Sequence, residues 1–128
     1  MRVTFGHSDR FAVAFVSAEK SYTLINTTPH PVHILDRDGE LVLTIPAASQ
    51  PLRLEERLES LGDLAGVPLV KKSLAADISL PEPQEGVYYI VSLAVAQAAR
   101  RSDLLVPDDL VRDEQGRILG CRRFAVVV

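Results

Sequence analysis

The sequence predicts an α+β domain made mostly of antiparallel β-strands, with one principal helix. Short apolar or alternating runs recur along the 128 residues, and turn-forming residues separate them, which is the pattern of strands joined by hairpins. Only one alanine-rich run, residues 93–101, has the composition of a helix. The pattern therefore predicts six or more short strands in several hairpins, packed as a single domain over residues 1–128.

The N-terminal half contains several strand signals and one strong hairpin signal. Residues 11–16 form a continuous apolar run, typical of a strand covered on both faces, and residues 20–25 alternate weakly. Two prolines in residues 26–31 exclude a helix and favour an extended turn. Residues 36–39, Asp-Arg-Asp-Gly, lie between two apolar runs and predict a hairpin, because Asp-Gly readily adopts positive φ.

The middle of the chain has two interpretations. Residues 52–61 carry leucines at both helical and strand spacing. The stretch 62–66 has two glycines, and an apolar run at 67–70 follows it. This order favours a turn that returns into a strand, so we predict one long hairpin.

Residues 87–121 combine a strand, the helix and a last hairpin. The strand at 87–91 leads to Ser92, which is placed to cap the helix 93–101, and basic residues suit the C-terminal end of its dipole. Residues 113–116 turn the last hairpin. Polar groups lie at both ends of the strand–helix unit, so we expect a site there.

Composition excludes several classes of function. Hydrophobic residues make up 47% and charged residues 24%, which is typical of a globular domain. A net charge of −3 argues against a generic nucleic-acid binder, and 5% aromatic residues argue against base-stacking surfaces. One cysteine excludes an internal disulfide and, without a His/Cys cluster, a structural zinc site, so we predict neither metal nor cofactor.

The apolar runs are too short to span a bilayer and no signal-peptide pattern is visible, so we expect a cytoplasmic protein.

The turn at residues 26–30 holds the first candidate site residues. His30 lies between two prolines, and this restricted backbone suits ligand contact or proton transfer. Alternatively, Asn26 and Thr28 close the turn through backbone contacts and His30 is only hydrogen-bonded nearby. His33 is expected to face away from His30 if both lie on one strand, which is a poor arrangement for a shared metal.

Ser92 and Cys121 are the candidate nucleophiles. The strand–Ser–helix order around Ser92 is similar to a nucleophile elbow but lacks its glycines, so the alternative is a helix cap. As a cap, Ser92 with the first helical amides is a hypothetical anion site. Cys121 precedes two arginines, which favour a reactive thiolate with His30 as base, and the alternative is a buried structural cysteine.

Charged residues near the helix end give a third candidate. Asp103, with Arg101 and Arg112, forms a predicted polar cluster that orients a ligand. The alternative is an ordinary ion pair that ties the helix end to the last hairpin.

Five motifs occur in a fixed order over residues 23–124. They are Asn26-Thr27-Thr28-Pro29-His30, the hairpin 36–39, Leu80-Pro81-Glu82-Pro83, Tyr89-Ile90-Val91-Ser92 and the hairpin 111–121. Together they resemble a family of short bacterial and bacteriophage proteins with an N-[LT]-T-P-H motif and a V-R-D-E-x-G-R-I-x-G-C hairpin. Residues 1–22 look like an N-terminal addition to that pattern, and the family often has an aliphatic residue at position 27. The resemblance implies a bacterial or phage origin and assigns no catalysis.

Three functions follow from these patterns. The first is a small-ligand-binding module for an anionic or nucleotide-like ligand, bound by Asn26, Thr28, His30, Ser92, Arg101, Asp103 and Arg112. The second is a small hydrolase or transferase that uses His30 with Ser92 or Cys121. The third is a homo-oligomeric assembly protein, in which the apolar residues 125–128 pair as an edge strand across a homodimer.

Overall fold

The computed structural model describes residues 1–75 and 80–128. Its elements are β1 (Arg2–His7), β2 (Ala12–Ser17), β3 (Ser21–Asn26), β4 (Val32–Leu35), β5 (Leu41–Ile45), β6 (Glu55–Leu64), β7 (Val67–Ala75), β8 (Val87–Ile90), α1 (Leu93–Ala99), β9 (Leu104–Arg112) and β10 (Ile118–Val126). The prediction of a β-rich fold with one principal helix is confirmed for this part of the chain.

Eight of these strands form one mixed sheet in the order β1-β2-β3-β8-β9-β10-β4-β5, and β6 and β7 form a separate two-stranded sheet. Strand β8 runs parallel to both of its neighbours, β3 and β9, and β10 runs parallel to β4. The sheet curls, so that β2 approaches β5. The prediction of a mainly antiparallel sheet is therefore wrong. Turn residues reveal hairpins between successive strands, but the insertion of β8 between β3 and β9 depends on long-range pairing that has no local signal.

The predicted hairpins are present. In the β4–β5 turn, Gly39 has φ 83°, and Asp36 Oδ1 accepts backbone N–H groups at 2.9 and 3.0 Å. The β9–β10 turn repeats this geometry, with Asp113 Oδ1 as acceptor at 2.8 and 2.9 Å and Gly116 at φ 79°. The long hairpin predicted for the middle of the chain is β6–β7, which turns at Ala65 and Gly66.

Two apolar clusters lie on opposite faces of the sheet. Ile90 packs in the first cluster with Ile45 and Cys121, whereas its neighbours Tyr89 and Val91 pack in the second, under α1. Successive residues of a strand point to opposite faces, so β8 contributes to both clusters. This central strand has both faces covered, and it leads directly into the helix.

Helix α1 begins and ends at identifiable caps. Ser92 is the N-cap, and its Oγ accepts the Val95 N–H at 3.3 Å. Arg100 adopts a left-handed conformation with φ 50°, and its N–H donates to Ala96 O. The helix is therefore seven residues long and ends two residues before the predicted boundary. Within the described residues, no helix has the length and apolarity needed to cross a membrane.

Both ends of the chain join the main sheet. β1 pairs with β2 along six residues, and β2 places Ala12 and Ala14 in the first apolar cluster. The N-terminal region is thus part of the fold, and residue His7 lies at the end of a strand. Phe15 in β2 is 48% exposed, so the prediction that both faces of this strand are covered is wrong. At the other end, Ala125 and Val126 pair with β9 of the same sheet.

Candidate functional site

A cavity of about 680 Å³ lies where β8 leaves the sheet and α1 begins. Its walls come from the β3–β4 turn, the β8–α1 junction and the β9–β10 hairpin. The apolar part of the lining consists of Pro29 and Pro31 of the turn and of Val32, Val91, Leu93, Val106, Pro107, Leu110, Ile118, Leu119, Gly120 and Cys121. The polar part consists of Thr28, His30, His33 and Ser92. A concave, mostly apolar surface with a few polar groups is the usual form of a small-molecule site.

The position of this cavity follows from the topology. β3 and β8 are parallel neighbours, so their carboxyl ends lie at the same edge of the sheet. The connection after β3 leads to Val32 in the first apolar cluster, whereas the connection after β8 leads to Val95 in the second. The two connections therefore leave on opposite faces. This divergence opens a crevice at the carboxyl ends, as in other sheets with parallel strands.

Asn26 holds the β3–β4 turn together from inside the protein. Its side chain is fully buried, and Nδ2 donates to His30 O and to Pro46 O, each at 2.9 Å. Oδ1 accepts the Thr28 N–H at 3.0 Å and lies 2.7 Å from Thr28 Oγ1. These contacts use the hydrogen-bonding capacity of the amide. Asn26 thus fixes the backbone of His30 and does not itself line the cavity.

Thr27 fastens the same turn to the end of β8. Its hydroxyl donates to Ile90 O at 2.7 Å, and its N–H donates to the same oxygen at 3.0 Å. Its own carbonyl accepts the Leu52 N–H at 2.9 Å. The side chain is 1% exposed, so the hydroxyl is satisfied in a buried position. The polar turn and the strand that borders the cavity therefore form one hydrogen-bonded unit.

Both histidines of this region line the cavity. β4 begins at Val32, so His30 lies in the preceding turn and the alternation expected along a strand does not apply to it. His30 is exposed, whereas His33 is half-buried with Nδ1 at 2.9 Å from Thr44 Oγ1. Among the described residues, no group of three or more His, Cys, Asp or Glu side chains is placed to hold a metal ion.

Ser92 and Cys121 line the same cavity as His30. Ser92 Oγ already accepts the Val95 N–H as the helix cap. Cys121 is 2% exposed, and burial raises the pKa of its thiol above the usual value. Arg123 is paired with Asp108 at 2.7 Å. The environment of Cys121 therefore favours the neutral thiol, which is a weak nucleophile.

We expect Cys121 to resist modification in the native protein. A maleimide or disulfide reagent at neutral pH should label it only after unfolding, because the thiol is both buried and protonated. Mass spectrometry of the protein after labelling with and without denaturant measures this. Rapid stoichiometric labelling of the folded chain would contradict the structural assignment of this thiol.

The charged residues predicted near the site lie away from the cavity lining. Arg101 forms a two-pronged ion pair with Asp103, at 2.9 Å from Nε to Oδ1 and 2.6 Å from Nη2 to Oδ2. It also donates to Pro81 O at 2.8 Å. The hydrogen bonds to Asp103 raise the pKa of Arg101, and Asp103 is 5% exposed. This pair ties the helix end to the start of β9.

Arg112 donates to Gly116 O at 2.9 Å within the β9–β10 turn. Of the seven predicted ligand-binding residues, the structure thus brings Thr28, His30 and Ser92 together around the cavity, with Asn26 behind the turn. Sequence reasoning missed the wall formed by Leu110, Ile118 and Leu119. These residues are exposed to different degrees, and no periodic pattern marks them as a cavity wall.

Comparison with known proteins adds no relationship: no family model, no curated protein and no solved structure matches the chain.

Proposed function

We propose that this protein is a small-ligand-binding module and that its ligand occupies the cavity at the end of β8. The observation that carries the proposal is a cavity of about 680 Å³ with a mostly apolar lining, bordered on one side by the hydrogen-bonded turn of Thr28 and His30. Ligand sites typically have volumes of about 300–1,000 Å³. The buried Asn26 amide holds the turn through hydrogen bonds to its backbone and to Pro46 O, so the polar groups of the turn are positioned before any ligand binds.

The lining favours a ligand with a flat apolar part and a few polar groups, and a nucleotide-like molecule meets this description. Its ring system would lie against Leu110 and Leu119, and its anionic part would lie near His30, which is exposed and carries a ring N–H donor. Arg101 and Arg112 are already engaged elsewhere. Recognition of the anionic part therefore depends on the turn and on Ser92.

A thermal-shift screen with mono-, di- and cyclic nucleotides tests this proposal. A bound ligand at 100 times its Kd should add about 2.7 kcal/mol to the free energy of unfolding and raise Tm accordingly. His30→Ala and Leu110→Trp should abolish the shift while the unliganded Tm stays close to that of the wild type, because both side chains are exposed. His7→Ala, which removes an exposed histidine outside the cavity, is the matched control. The absence of stabilisation by every nucleotide would refute the nucleotide assignment.

A second candidate function is a small hydrolase or transferase. It is favoured by one observation: His30, Ser92 and Cys121 line a single cavity. The cap bond of Ser92 and the raised pKa of Cys121 weigh against either as an activated nucleophile. The His30→Ala variant separates the two functions, since an enzyme would lose turnover and a binding module would lose only affinity.

A further inference from the structure

A two-stranded arm extends from the domain. It consists of β6, β7 and their turn, residues 55–75, and it forms a sheet of its own. Every residue from 55 to 73 is exposed. Several of these are large and apolar, including Leu58 and Leu64 at 62% and Val67 at 66%. The described part of the chain therefore leaves both faces of this part of the arm open to solvent.

Such an arm lacks, among the described residues, the third strand or the covering layer that usually stabilises a sheet. An isolated two-stranded hairpin is marginally stable in water, and three or more strands or a covering layer are usually needed. Within residues 1–75 and 80–128, neither outer edge of the arm pairs with another strand, and an open edge of this kind readily accepts one. Glu56 and Lys72 form an ion pair across the arm, but exposed pairs contribute little stability. Pairing with a further strand would satisfy the open edge and cover apolar surface.

We infer that the arm pairs with the arm of a second copy of this chain, through antiparallel association of the two β6 strands about a two-fold axis. In the register centred on Leu58, each Arg57 lies opposite Glu59 of the partner subunit, and Leu58 lies opposite its own copy. Opposite residues share a face, so both charge pairs form on one face and the leucine pair on the other. Two hairpins thereby become one four-stranded sheet.

The charges of Arg57 and Glu59 can take part in this pairing, although Glu59 also lies opposite Lys71 within the arm. Among the described residues, neither side chain takes part in an ion pair. Both are exposed, so association adds cross-strand attraction without a large desolvation cost. The same surface patch serves both copies, as a two-fold interface requires.

Other registers of β6 are opposed by charge or by the backbone: the register centred on Ser60 has no like-charge pair, but it crosses the bulge between Ser60 and Gly62, which disrupts the ladder. If the two-fold axis passes through Arg57, the arginines of the two copies lie opposite each other. If it passes through Glu59, the two glutamates lie opposite each other. Pairing through β7 would bring a lysine against its own copy in the registers centred on Lys71 or Lys72, and in every register Pro68 lacks an N–H to donate. Like charges directly opposite each other destabilise strand pairing. The β6 edge in the Leu58 register is therefore the favoured contact.

Charge reversal tests the arm dimer directly. Sedimentation velocity of the full-length chain over a concentration series should show reversible dimerisation. Arg57→Glu and Glu59→Arg should each raise the dimer Kd at least about tenfold, because attraction becomes repulsion at two symmetric pairs. The double variant Arg57→Glu/Glu59→Arg should restore the wild-type Kd. The control Arg37→Glu makes the same charge change in the exposed β4–β5 turn, and it should leave the dimer Kd unchanged.

Mixing gives a second, independent readout. The Arg57→Glu chain carries two glutamates at these positions and the Glu59→Arg chain two arginines, so an equimolar mixture should form heterodimers with a lower Kd than either variant shows alone. A wild-type chain that stays monomeric up to about 1 mM, the range of the weakest specific contacts, would overturn the inference. So would a dimer that is insensitive to both reversals. Neither result bears on the ligand cavity, which lies outside the arm.

Discussion

Replacing Asn26 with alanine should lower the free energy of unfolding by about 2–3 kcal/mol, since a fully buried amide is lost together with its hydrogen bonds to part-buried backbone groups. The Pro46 carbonyl loses a donor and the Thr28 N–H loses its acceptor, while the His30 carbonyl keeps only the Thr28 hydroxyl as a donor. Asn26 itself is 0% exposed, so water reaches this position only if the turn opens. Urea denaturation followed by circular dichroism measures the change.

The matched comparison for this variant is Thr28→Val. It removes one hydroxyl from the same turn and keeps the shape of the side chain, so it should cost only about 1 kcal/mol. In a protein with a ligand bound in the cavity, Asn26→Ala should also weaken binding, because the backbone of His30 is no longer fixed. If Asn26→Ala were as stable as Thr28→Val, the buried amide would not be the group that holds the turn.

Adding a single methyl group at Gly120 is the second large effect that we expect. A Cβ at this position would lie 2.6 Å from His33 O, closer than such atoms approach in folded proteins, and 3.0 Å from Leu35 Cγ, which is a tight contact. The obstacle is backbone of β4, which pairs with β10 between Ile34 and Cys121. Gly120→Ala must therefore separate two strands of the main sheet, and it should destabilise the fold by about 3 kcal/mol.

Gly6→Ala is the control for that substitution. At Gly6 the added Cβ would meet only the ring edge of Phe15, at 3.1 Å, and this exposed side chain has room to move. Thermal or urea denaturation of the two variants should therefore show a large loss for Gly120→Ala and a small change for Gly6→Ala. Equal stability of the two variants would show that β4 and β10 can move apart enough to admit a methyl group at little cost in free energy.

Local chemistry accounts for the features that could be predicted. The turn residues around Gly39 and Gly116 specify their hairpins because the backbone there has positive φ. Ser92 caps the helix because its hydroxyl reaches an N–H three residues later. The β6–β7 hairpin followed from the order of leucines, glycines and a second apolar run. Each of these signals acts over a few residues, so each is visible in the sequence.

The candidate site was visible only in part. The turn at Asn26–His30, Ser92 and Cys121 were identified as separate features, and the fold brings Thr28, His30, Ser92 and Cys121 to one cavity. No neighbouring residue in the sequence indicates a role for the Thr27 hydroxyl, which donates a hydrogen bond to Ile90 O, 63 residues further along the chain. The role of Arg101 likewise depends on where Asp103 and Pro81 lie.

The sequence by itself determined the hairpins, the capped helix and most of the strands of this protein, because these depend on backbone propensities and on hydrogen bonds between near neighbours. Only the tertiary structure decided that β8 lies between β3 and β9, that the sheet is mixed and that a cavity opens at the end of β8. Those features depend on which apolar faces pack together after long stretches of chain have closed. Many pairings satisfy the same local pattern, and packing selects among them.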